Sequence, residues 1–150
     1  MATGFTNQII DSLATIVDGL GGTRSDKLVK DVRKYNATVF DGSPGVAIYL
    51  LNMAPDYAST GHTIRRYSFI ISINVKTTQI GFEEASNIAR DVQDEILDAI
   101  DDSNRLDGLV LSLDPSIIDD SESPELEEIE FANIILQIDC GKIVERSVDI

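Results

Sequence analysis

The sequence predicts an α+β domain: a four-stranded antiparallel or mixed sheet with two helices on one face, in the order α-β-β-α-β-β. Three observations carry this. Residues 64–76 alternate, with Tyr67, Phe69, Ile71, Ile73 and Val75 on one side and Arg66, Ser68, Ser72, Asn74 and Lys76 on the other; only Ile70 breaks the pattern. Successive side chains of a strand point to opposite faces, so this is a long strand with one buried face. Residues 82–100 place Phe82, Ala85, Ile88, Ala89, Val92, Ile96, Ala99 and Ile100 at three- and four-residue spacing, with Glu83, Glu84, Arg90, Asp91, Asp94, Glu95 and Asp98 opposite. That is an amphipathic helix of about five turns. The third observation is a second alternating strand near the end, residues 127–140, with Ala132, Ile134, Leu136, Ile138 and Cys140 on one face.

The remaining elements follow in chain order. Phe5, Ile9, Leu13, Ile16 and Leu20 repeat at helical spacing, which predicts a first helix over residues 6–20. Thr3 or Thr6 is placed to cap its start, and Gly21-Gly22 to end it. Residues 23–40 read as a short helix or turn, with Leu28, Val32 and Tyr35 on one face, followed by irregular chain. A turn cluster, Asp41-Gly42-Ser43-Pro44-Gly45, leads into the apolar run Val46 to Leu51, a strand. Residues 52–63 contain Pro55, Gly61 and small polar side chains and predict a long mobile loop, either a flexible excursion or a binding arm. Leu109, Leu111 and Leu113 alternate as a short strand. An acidic loop is expected near 114–126, and a C-terminal tail at 141–150 after Gly141. The 150 residues suffice for one domain, with no internal repeat.

Composition bounds the function. The formal net charge is −14, which argues against binding nucleic acid by neutralising phosphates and against docking on anionic membranes. The charge serves either solubility or a surface that stays near a polyanion without adhering. It is unevenly placed: Arg24, Lys27, Lys30, Arg33 and Lys34 cluster early, whereas residues 107–139 hold ten acidic groups and no basic one. Opposite patches on one subunit suit a head-to-tail ring, and monomers carry them too. No run approaches the roughly 20 apolar residues of a membrane span, and the N-terminus lacks a secretion pattern. With one cysteine there is no internal disulfide, and the expectation is a protein made in a reducing cytoplasm.

Chemistry is sparse. His62 is the only histidine and Cys140 the only cysteine, so neither a nucleophilic triad nor a transition-metal site is expected. The acidic stretch lacks the alternating Asp/Asn and central Gly of a calcium loop. No phosphate-binding glycine motif occurs. The reading is therefore non-enzymatic, with no cofactor and no metal. Asp56, Tyr57, His62, Arg65, Arg66, Asp119, Asp120 and Glu122 are the candidate subunit or partner contacts. Arg65-Arg66 reads either as an edge charge that blocks aberrant pairing or as an anchor for an acidic neighbour.

Most of the chain resembles the tail terminator (tail completion) proteins of long-tailed bacteriophages. The likeness runs through the first helix and the entry Ser43-Pro44-Gly45-Val46-Ala47-Ile48-Tyr49, then the long loop and the strand Arg66-Tyr67-Ser68-Phe69-Ile70-Ile71-Ser72-Ile73-Asn74-Val75. It continues in the helix start Gly81-Phe82-Glu83-Glu84-Ala85, in Ile96-Leu97-Asp98-Ala99-Ile100, and in Ala132-Asn133-Ile134-Ile135-Leu136-Gln137-Ile138. The resemblance does not extend to the acidic loop at 119–125 or to the segment after Gly141. The resemblance implies a virion protein made in the host cytoplasm, forming a hexameric ring at the head-proximal end of the tail tube. Its partners would be the tail tube protein and a head-completion or neck protein, with DNA passing through the lumen without specific binding. It implies no catalytic residues. Another phage neck or head-completion protein, or a small acidic α+β binding module unrelated to virions, are the alternatives.

Overall fold

A computed structural model describes residues 4–20, 28–37, 39–57, 62–78, 80–103, 106, 110, 112–120 and 131–145. It contains two helices and a five-stranded sheet, one strand more than the sequence suggests. The elements in chain order are α1 (Phe5–Asp18), β1 (Asp31–Arg33), β2 (Gly45–Tyr57), β3 (His62–Lys76), α2 (Gly81–Asp102), β4 (Ser112–Asp120) and β5 (Phe131–Glu145). The sheet order is β1-β2-β3-β5-β4. β1 runs parallel to β2, and every other neighbouring pair is antiparallel.

Both helices join one core with the inward residues of the sheet. Ile9, Leu13 and Val17 of α1, Ala85, Ala89, Val92 and Ile96 of α2, and Val46, Ile48, Phe69, Ile71, Leu136 and Ile138 of the strands are fully buried together. The predicted helix-covered face of β3 is therefore present, residue for residue. Gly4 is the N-cap of α1, with no side-chain cap hydrogen bond, and Gly19 closes it; Thr6 lies within the helix, and Thr3 lies outside the described residues. Gly21-Gly22 and the early cations Arg24 and Lys27 lie outside the described residues.

Four expectations are corrected. Residues 31–33 form a short parallel strand, not a helix; Asp31 pairs with Gly45, and Lys30 N donates to Pro44 O at 2.9 Å. The expected loop at 52–63 is mostly strand: β2 continues to Tyr57 and β3 begins at His62. Asn52, Ala54 and Pro55 mislead because an edge strand needs neither two buried faces nor every amide, and proline is tolerated there. The acidic loop near 114–126 is strand as far as Asp120, again an edge strand, with Pro115 and a register shift between Ile117 and Asp119. Of the strand expected at 109–113, Ser112 and Leu113 open β4, and Leu109 and Leu111 lie outside the described residues. The tail at 141–150 is strand to Glu145, because β5 keeps pairing with β3 through Gly141↔Arg66 to His62↔Glu145. Gly141 is buried within the ladder and ends nothing.

The sheet face away from the helices carries a polar network. Asn133 Nδ2 donates to Asn74 Oδ1 at 2.7 Å, to Ser72 Oγ at 3.1 Å and to Ile73 O at 3.2 Å. Ser68 Oγ donates to Asp139 Oδ1 at 2.8 Å, and Gln137 Nε2 reaches the same oxygen at 2.9 Å. Amid these groups Ile70 keeps only 2% exposure and Ala47 none. Ile70 lies between Tyr49 on β2 and Gln137 on β5, so the residue that broke the alternation is the apolar centre of this second face. Phe40 packs over Gly45, where any larger residue would collide with its ring.

Candidate functional site

The long strands outrun the helices. β3 and β5 have 15 residues each and β2 has 13; at about 3.3 Å per residue the longest reach roughly 50 Å. α2, with 22 residues, spans roughly 33 Å at 1.5 Å per residue. Phe5 at the start of α1 marks the limit of the helix layer. Its ring lies 4.9 Å from that of Tyr67, and Lys142 Nζ sits 4.3 Å from its centroid. Past Tyr67 the three strands form an arm. Ala54, Arg65 and Arg66 are exposed on it; Met53, 46% exposed, stands at its base opposite the buried Tyr67, and Leu51, 50% exposed, just before it.

The arm gathers five of the candidate contact residues. Asp56 pairs with Ile64, Tyr57 with Thr63, and His62 with Glu145; Arg65 and Arg66 are exposed and face Lys142 and Gly141 in register. Asp119 and Asp120 lie elsewhere, on β4 opposite Ile135 and Ile134, which pair with Ser72 and Ile73 of β3. That level is roughly 20 Å along the strands from Arg65-Arg66. The structure thus separates the candidates into an arm group and an edge group. Glu122 lies outside the described residues.

The outer stripe of α2 is mostly acidic, with Asn87 and Arg90 as its exceptions. Glu83, Glu84, Asp91, Asp94, Glu95, Asp98, Asp101 and Asp102 are all exposed. Glu83 and Glu84 oppose the positive end of the helix dipole and stabilise it. Asp101 and Asp102 sit at the negative end, with no basic residue in the last turn; each costs about 0.3–1 kcal/mol there. Acidity at that end works against the helix, so helix stability does not explain it.

The early cations do not form a matching free patch among the described residues. Arg33 Nη2 contacts Asp41 at 2.8 Å and Arg33 Nε contacts Asp31 at 3.0 Å, while Lys34 Nζ lies 3.0 Å from Asp11. Burial alone would raise the Asp31 carboxyl. The Asp41 amide, which donates to it at 2.7 Å, and the Arg33 guanidinium outweigh that and hold it below the usual carboxylate range. These pairs clamp β1 and the following turn against the sheet.

Two of the clefts among the described residues bear on chemistry. One, about 560 Å³, opens between α1 and the C-terminal end of α2, lined by Asp11, Thr15, Ile16, Ala99, Asp102 and Leu106. The other lies on the polar sheet face beside Arg66, Ser68, Asp114, Gln137 and Asp139. Neither joins a nucleophile to a base. Among the described residues no group of three or more His, Cys, Asp or Glu side chains is placed to hold a metal. Cys140 is buried, and that burial, with Asp139 and Asp114 nearby, pushes its thiol up to about 12. No helix among the described residues is long and apolar enough to cross a membrane.

No protein-family model matches the chain, and no curated protein matches it.

Proposed function

We propose that this chain is a virion structural protein that rings the head-proximal end of a phage tail tube, stops its polymerisation and offers a joining surface to a neck or head-completion protein. The observation that supports this best is the arm. A three-stranded extension, exposed at Ala54, Arg65 and Arg66 and with Leu51 and Met53 half-exposed at its base, suits contact with another protein and adds nothing to the subunit's own core. The mostly acidic stripe of α2 fits a ring through which DNA passes without adhering. Six subunits at −14 each would carry about −84, and acidic groups repel a polyanion over about 8–10 Å. The protein acts by assembly, with no cofactor and no catalytic step.

The test is capping. Purified protein is mixed with tail tubes that lack their head-proximal cap, and the tubes are imaged by electron microscopy. Ring density at one end only, with arrested elongation, is the expected result. Tubes that stay bare and continue to lengthen at saturating protein overturn the reading.

A further inference from the structure

The two outer strands of the sheet are finished differently. β4 carries Asp114, Pro115, Asp119 and Asp120, and its register breaks between Ile117 and Asp119. Charge, proline and an irregular ladder are the ordinary means of stopping a further strand from adding. At the other side, β1 pairs with β2 only at Gly45, Val46 and Ala47. From Ile48 onward, β2 has no strand on that side among the described residues. This open edge bears no charged residue until Asp56. Its own register shift, at Leu51, leaves an apolar side chain exposed and introduces no charge.

From this contrast we infer that the open edge of β2, residues 48–54, pairs antiparallel with the same edge of a second copy. An uncharged strip recognises another uncharged strip without stripping water from charges, and each copy supplies one. Sheet extension from β2 of one copy to β4 of the next is blocked by the aspartates and proline of β4. Pairing β2 to β2 consumes both open edges at once and closes by two-fold symmetry, so it stops at two copies. The exposed Leu51 and Met53 of each copy are then covered. This pair describes the free protein and does not rest on the ring reading. A ring with only a six-fold axis cannot contain this contact, so the two proposals fail separately.

The experiment is sedimentation velocity on the full chain over a concentration and salt series, beside Leu51→Lys/Met53→Lys. The wild type is expected to reach a dimer and go no further. Added salt should strengthen the dimer, because it screens repulsion between two subunits of −14. The double variant, with circular dichroism unchanged, should associate at least about tenfold more weakly. Hydrogen exchange of the wild type provides a check that needs no variant: amides within 48–54 should gain protection as concentration rises, and those of 114–120 should not. A monomer across the series, or a dimer that salt dissolves, overturns the inference. So does association that persists in the variant, or growth beyond two copies that the variant abolishes, which would mean head-to-tail addition.

Discussion

The two faces of the sheet solve burial differently. The helix-facing side excludes water by covering: α1 and α2 lie over Val46, Ile48, Phe69, Ile71, Leu136 and Ile138, and every one is fully buried. On the opposite side no helix packs among the described residues, yet Ile70 and Ala47 are as dry. There the neighbours in the sheet contribute, together with Phe40, which packs over Gly45. Tyr49 and Gln137 flank Ile70 across the ladder, and the Asn74–Asn133–Ser72 network and the Ser68–Asp139–Gln137 chain surround it with satisfied polar groups. Among the described residues, cross-strand pairs and the ring of Phe40 over Gly45 thus seal a small apolar centre whose polar rim is hydrogen-bonded.

Substitutions that probe this difference should fall in a definite order. Phe69→Ala empties the covered face and should cost about 3–5 kcal/mol in urea unfolding. Ile70→Ala should cost about 2–3 kcal/mol, close to a core substitution. A loss under about 0.5 kcal/mol would make the second face an ordinary wet surface and end the comparison. Asn133→Ala removes three hydrogen bonds to β3 and should cost about 1–2 kcal/mol, with Asn133→Asp no better, since a carboxylate cannot donate to Asn74 Oδ1 or Ile73 O.

The smallest effect concerns Cys140, which sits on the covered face yet feels the aspartates beside it. Its native thiol ionises only near pH 12, whereas an unfolded one ionises near about 8.5. The native state thus holds its proton where the unfolded state releases it. Stability is complete below about pH 8.5 and declines above, by about 1 kcal/mol at pH 9. Cys140→Ala should flatten that decline, and native protein at pH 8 should resist thiol reagents until it unfolds. Rapid labelling of native protein would show that the two faces are not sealed from each other at this point.

What the sequence reveals divides along the same line. Elements with one buried side are legible, because a periodic apolar stripe exists only where something covers it. α2 was expected at 82–100 and runs Gly81–Asp102; β3 was expected at 64–76 and runs His62–Lys76. The edges are not legible. β1 has three residues, each only partly buried, and exists because Gly45 to Ala47 offer a parallel ladder more than ten positions away. β4 and the far half of β2 carry Asp, Pro and Asn, residues that signal loops, and they are strands because β5 and β3 supply their hydrogen bonds. Among the candidate contacts, Asp56, Tyr57, His62, Asp119, Asp120 and Glu122 read locally as loop residues and Arg65-Arg66 as the head of a strand. Five of them do share one region, but on a continuous ladder that no local pattern announces.

The pairing of β3 with β5 also has a consequence in time. Ser68 and Asp139, hydrogen-bonded in the finished sheet, are 71 positions apart. During synthesis at roughly 5–20 residues per second, β3 emerges several seconds before its partner. For that interval the β2–β3 hairpin exposes an unfilled ladder on both sides, and α2 arrives to cover only one face. The negative charge that fills the intervening helix and the stretch before β5 then keeps nascent chains apart. In this light the acidity of the chain acts before there is any finished subunit to assemble, as a safeguard for a central strand that must wait for its neighbour.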